Sequence, residues 1–171
     1  VHHRVVGQRR ALEFRRGRRL GLRDGLVCAD VGCGGGDVSQ AVARKVAPSG
    51  KVLGFDIDPA KLDLARSEAK QQGIENLEFR VADVREAIED AFQFDVVYSR
   101  FLLTHLHEPT SVLNVFHRWV RPGGFVAIED VDFSGDFTYP ESPAFKRYHE
   151  LYCATVKRRG GDPNIGFRVP A

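Results

Sequence analysis

From residue 25 onward, short apolar runs alternate with longer stretches in which apolar residues return every three or four positions. GLVCADV (25–31), KVLGFDI (51–57), NLEFRVAD (76–83), FDVVYSR (94–100) and GFVAIEDVDF (124–133) have the length and composition of buried strands. Between them, DVSQAVARKVA (37–47) sets Val38, Ala41, Val42 and Val46 on one helical face, and Pro48-Ser49-Gly50 ends it. In DPAKLDLARSEAKQQG (58–73), Asp58 stands at the N-cap, Pro59 at the first helical position and Gly73 at the stop. VREAIEDAF (84–92) predicts a short helix, EPTSVLNVFHRWV (108–120) a helix ending at Arg121-Pro122-Gly123-Gly124, and AFKRYHELYCATVKRR (144–159) a last one.

Strands alternating with helices at this pitch require right-handed crossovers. The expected fold class is therefore α/β: a Rossmann-like, doubly wound, mainly parallel sheet with helices on both faces, in three layers. The chain divides into a basic N-terminal helical segment (1–25), a core (26–132), and a loop and helix (133–171) shaped as a lid. At 171 residues it suffices for one core and not for two.

Charge adds one asymmetry. Arg4, Arg9, Arg10, Arg15, Arg16, Arg18, Arg19 and Arg23 face a single acid, Glu13, in the first 23 residues, although the net charge is only +2. Such an arm suits phosphate or nucleic acid; the plainer account is the solvated face of a helix whose stripe is Val5, Val6, Leu12 and Leu20. No apolar run reaches a membrane-spanning length, and the first residues lack a secretory pattern. Cys28, Cys33 and Cys153 are too few and too irregular for a disulfide framework or a zinc site, so no metal is expected and the thiols fit a reducing cytoplasm. The chain contains no methionine, even at position 1, so its ends are expected to be trimmed or its methionines omitted.

The chemistry concentrates in DVGCGGGDVS (30–39), where Gly32, Gly34, Gly35 and Gly36 fill four of five positions at a strand-to-helix corner. A tight turn needs one or two. The surplus lets a ligand lie against bare backbone at the carboxyl end of the first strand. A dinucleotide fingerprint begun at Gly32 would need a third glycine at position 37, which is Asp37, and a carboxylate there repels a pyrophosphate. A Walker loop needs Gly-Lys-Ser/Thr, and the first lysine is Lys45. A ligand with positive charge and an amino-acid portion suits Asp30 and Asp37 better.

DVGCGGG resembles the D-x-G-x-G-x-G motif of class I S-adenosylmethionine-dependent methyltransferases, and the resemblance continues in order over about residues 26–132. It implies an enzyme that binds S-adenosyl-L-methionine and releases S-adenosyl-L-homocysteine. On it, Asp30, Gly32, Cys33 and Gly34 form the loop, and Asp56, with Ile57 beside it, binds both ribose hydroxyls. Asp83 contacts the adenine amino group with Val84 beside the ring, and Ser99 and Arg100 border the methionine part. WVRPGGFVAIED is similar to the family's helix–turn–strand signature. The three acids recur at nearly one strand–helix unit, as one sheet edge requires.

Methyl transfer mainly requires holding the acceptor in line, so no invariant base is implied. Candidates to shape the acceptor site are Glu129 and Asp130 after the fifth strand, and His105 in LLTHL, whose plainer role is packing. Tyr148 and His149 offer further polar groups on the last helix. The [DNS]-P-P-[YFW] motif and the Pro-Cys nucleophile of base-modifying relatives are missing after the fourth strand, which reads YSRF. The expected acceptor is a small molecule. An RNA-directed enzyme using the basic arm is the alternative, followed by a non-catalytic cofactor-binding scaffold and, more remotely, a nicotinamide-dependent reductase. The family's sheet ordinarily adds two strands beside the fifth, and none follows here, so a missing C-terminal portion or a second subunit (a homodimer) is expected to cover that edge.

Overall fold

The structure, a computed structural model, describes residues 21–86 and 93–169. The expected N-terminal helix lies outside the described residues up to position 20; residues 21–23 are irregular and 24–25 a turn, not helix. The expected helix at 84–92 lies outside them from residue 87 onward, and residues 84–86 are a turn.

The described residues divide into two compact units, with 21–86, 93–99 and 110–127 in the larger and 100–109 and 128–169 in the smaller. A sheet of five strands, β1 (Val27–Val31), β2 (Lys51–Asp56), β3 (Leu77–Val81), β4 (Phe94–Arg100) and β5 (Val120–Glu129), runs in the order β3-β2-β1-β4-β5, all but the last residues of β4 and β5 belonging to the larger unit. The pairs β1–β2, β2–β3 and β1–β4 are parallel, as the crossovers demand. The order reverses at β1, which places the glycine corner at the switch point. Inner strand β4 buries its first six residues, Asp95 and Ser99 among them.

Register sorts the two faces. Cys28 pairs with Val52 and Val96, and Val52 with Leu77, so these side chains share a face. On it, α1 (Asp37–Val46) sets Val38, Val42, Ala43 and Val46 against Cys28, Val52 and Val96, while α2 (Pro59–Gln71) sets Leu62, Ala65 and Ala69 against Phe79. On the opposite face, the Phe55 ring centroid lies 5.0 Å from that of Trp119, at the end of α3 (Pro109–Trp119). Helices therefore cover both faces, and the α/β class holds.

Local punctuation behaves as the sequence predicts. The Asp58 carboxylate accepts the N–H groups of Ala60 and Lys61 at 3.0 and 3.3 Å, Pro59 opens α2, and Gly73 follows it with φ 66°. The expected turn at 121–124 is a correction: β5 begins at Val120 and runs through Arg121-Pro122-Gly123-Gly124. An edge strand tolerates a proline that donates no hydrogen bond. A side chain at Gly124 would meet the Asp95 carbonyl at 2.6 Å, so β5 starts against bare backbone of β4.

The smaller unit contains a 3-10 turn (Leu103–His105), a second (Phe133–Gly135), α4 (Pro143–Arg158) and α5 (Ile165–Arg168), the last of which the sequence reading missed. Among the described residues no helix is long and apolar enough to cross a membrane, and no cluster of three or more His, Cys, Asp or Glu could hold a metal ion.

Candidate functional site

The glycine corner is fastened to the second strand. The N–H groups of Gly32 and Cys33 donate to the Phe55 carbonyl at 2.8 and 2.9 Å. The Gly34 N–H donates to Asp56 Oδ2 at 2.8 Å, and the Asp58 N–H to Asp56 Oδ1 at 3.0 Å. Asp56, the last residue of β2, thus holds both the loop and the start of α2, and each of its oxygens retains a lone pair for a further donor.

The glycines divide by task. Gly34, at φ 54°, has nothing within 4 Å of where a Cβ would sit, so its outer side is open to a ligand. Gly36, at φ 80°, precedes α1, and a Cβ there would lie 2.7 Å from the Phe79 ring. Its absent side chain lets the helix start close against β3.

The acids are positioned differently from one another. Asp30 is 3% exposed, and its Oδ2 accepts the Ser39 hydroxyl at 2.6 Å, which ties the end of β1 to the first turn of α1. Asp83 lies two residues past β3 and carries a cation. Its Oδ1 accepts the N–H and Nε–H of Arg85 at 3.0 and 2.8 Å, and its Oδ2 accepts Nε–H and Nη2–H at 3.1 and 2.5 Å. The hydrogen bonds from Arg85 hold the Asp83 carboxyl below its usual range.

The other expected ligand contacts fall as follows. Ile57 is exposed and Val84 buried. The Ser99 hydroxyl, fully buried, donates to the Val31 carbonyl at 2.9 Å, joining β4 to β1 beside the loop. Burial, then the charges of Asp30 and Asp56, push the Cys33 thiol far above its ordinary pKa, which disfavours the thiolate that a nucleophile needs. Gln40, in the first turn of α1, is 3% exposed, and its Nε2 has no partner among the described residues.

Arg100 and the three acceptor-site candidates belong to the smaller unit. The Arg100 guanidinium lies 5.0 Å from the Phe101 ring centroid. Phe101 adopts φ 56°, a conformation that a bulky residue holds only under constraint, and its N–H donates to the Glu129 carbonyl at 2.9 Å. Asp130 clamps the following 3-10 turn: Oδ2 accepts the N–H groups of Leu103 and Thr104 at 2.8 and 3.4 Å, and Oδ1 that of Val131 at 2.9 Å. Burial raises its pKa against those bonds. Glu129 and His105 are exposed.

Sequence reading overlooked the ring cluster formed when α4 meets the second 3-10 turn. Phe133 lies 4.6 Å from Tyr152 and 5.7 Å from His149, and Phe145 6.3 Å from His149, between centroids. His149 Nε2 lies 2.8 Å from the Phe133 carbonyl, an acceptor, so Nε2 carries the proton. The spacing 145, 148, 149, 152 was the available signal, since it marks one helical face.

A family model described as a methyltransferase domain matches residues 22–159. The chain belongs to the methyltransferase-domain family. Within that family it is 36% identical, over 67% of its length, to a ubiquinone biosynthesis O-methyltransferase of Acinetobacter baumannii, covering 47% of that protein. It is 30% identical, over 81% of its length, to a demethylmenaquinone methyltransferase of Lactococcus lactis, covering 53% of it. The chain thus spans about half the length of these relatives. A SAM-dependent methyltransferase from Aquifex aeolicus shares the fold with a TM-score of 0.63 at 22% identity, over 83% of this chain and 74% of that one.

Proposed function

We propose that the protein transfers a methyl group from S-adenosylmethionine to a small-molecule acceptor. The observation that carries this reading is the Asp56 carboxylate, which ends β2 while accepting the Gly34 N–H of an open glycine loop. The donor set fits the cofactor's chemistry. The carboxylates at the carboxyl ends of β2 and β3, Asp56 and Asp83, suit hydroxyls and an amine and repel phosphate, and the buried charge of Asp30 behind the loop favours a cation over an anion. When bound, the cofactor supplies a methyl group on a sulfonium, open to in-line displacement.

The residues have separate tasks in this reading. Asp56 accepts the ribose hydroxyls with the lone pairs that Gly34 and Asp58 leave over. Gly32, Cys33 and Gly34 offer bare or compact backbone, Ile57 and Val84 flank the base, and Asp83 accepts its amino group. Asp30 and Ser99 hold the loop and strand behind them. The likeness to a ubiquinone biosynthesis O-methyltransferase and a demethylmenaquinone methyltransferase supports a small acceptor over a nucleic acid.

The test is thermal. S-adenosylhomocysteine raises the unfolding midpoint and NADH leaves it unchanged, because a ligand stabilises only the state that it binds. Asp56→Ala lowers the calorimetric affinity for S-adenosylhomocysteine about tenfold or more, the loss expected for a paired charge-assisted hydrogen bond. Equal shifts with both ligands, or unaltered affinity in the variant, would refute the assignment.

A further inference from the structure

We infer that Arg85 reads one edge of the adenine base together with Asp83, and so acts as a specificity residue for the nucleoside. The inference rests on the cofactor reading above. It starts from the pair's geometry: the Asp83 side chain is 17% exposed and that of Arg85 61%, so the carboxylate is recessed and the guanidinium stands at the surface beside it.

A guanidinium has five N–H groups. Nε–H and one Nη2–H are spent on Asp83, leaving one on Nη2 and two on Nη1. A bidentate fork is planar. The Nε–H lies nearer Oδ1, at 2.8 Å against 3.1 Å, so Oδ2 keeps one lone pair beyond its bond from Nη2–H, and that acceptor and the free N–H groups of Arg85 stand side by side along one rim. Adenine presents the complement: an amino donor flanked by ring nitrogens that accept, the pattern a side-chain amide matches when it reads this base. The carboxylate takes the amino hydrogen, and a guanidinium N–H goes to the neighbouring ring nitrogen, N1 or N7.

The plainer account is an ordinary surface ion pair between residues two apart, which contributes little. A second alternative makes Arg85 a competitor that covers Asp83 and must be displaced. The three accounts predict different affinities for one ligand.

The test compares the protein with Arg85→Ala and Arg85→Lys by calorimetry, using S-adenosylhomocysteine and its 1-deaza and 7-deaza analogues, in which a ring nitrogen becomes C–H. Arg85→Ala binds S-adenosylhomocysteine about tenfold more weakly, as loss of one exposed charge-assisted hydrogen bond predicts, and Arg85→Lys recovers part of the loss. One of the two analogues binds the unsubstituted protein about tenfold more weakly than the parent ligand, and that penalty disappears in Arg85→Ala. Because Arg85 is exposed, the ligand-free unfolding midpoint stays the same and folding does not confound the result. Equal affinity in Arg85→Ala overturns the inference in favour of the ion pair, and tighter binding overturns it in favour of the competitor. Deaza penalties that are the same in both proteins overturn it too. Failure of the unsubstituted protein to bind S-adenosylhomocysteine would sink the cofactor reading itself, a distinguishable result.

Discussion

Gly36 joins two constraints that the sequence shows only as a glycine run. Its φ of 80° is a conformation that side chains rarely adopt, and a Cβ there would lie only 2.7 Å from the Phe79 ring. Gly36→Ala therefore costs about 2–4 kcal/mol, from left-handed backbone and overpacking together, read as a lower midpoint in urea. Gly34→Ala meets no such contact and carries only the backbone cost, so the two variants separate helix packing from loop conformation. At this scale the acids were legible as a ladder, but their partners were not. That Asp56 fastens Gly34, or that Asp83 carries Arg85, depends on side-chain directions that spacing does not encode. Phe101 gave no cue at all, because nothing in its chemistry favours a positive φ.

Among the elements, a buried acid that sequence reading did not single out ties three strands together. Asp95, 6% exposed at the start of β4, accepts the Val27 N–H at 2.8 Å with Oδ2 and pairs with Arg121 of β5 through Oδ1. Asp95→Ala leaves the Val27 donor and a guanidinium without their acceptor, at a cost of about 2 kcal/mol, since Arg121 is half exposed and keeps part of its hydration. Denaturant unfolding reads that loss, and Asp95→Asn, which can still accept the Val27 N–H, recovers part of it. Strand and helix positions were largely legible because caps and stops are local chemistry: Asp58, Pro59 and Gly73 mark α2 by themselves. The start of β5 was not, because Pro122-Gly123-Gly124 reads as a turn until the position at a sheet edge is known.

For the molecule as a whole, the two units differ in how much they bury. Strand β4 buries six of seven residues, whereas in α4 only Val156 of sixteen is fully buried. Amide hydrogen exchange at neutral pH should therefore release the α4 amides well before those of β1 and β4, since openings follow local burial. Comparable protection in α4 would contradict this. The fold class was legible from alternation alone, but the division of the chain was not: it passes between units inside β4 and β5, where composition does not change. One last feature joins distant parts of the chain. Side chains at both Gly36 and Gly54 would collide with the same ring, that of Phe79, at 2.7 and 2.6 Å. Three positions far apart in the chain are thus bound to a common history. A lineage that shrank Phe79 would release Gly54 to drift first, leaving Gly36 held by its backbone, and related proteins should vary 54 and 79 together.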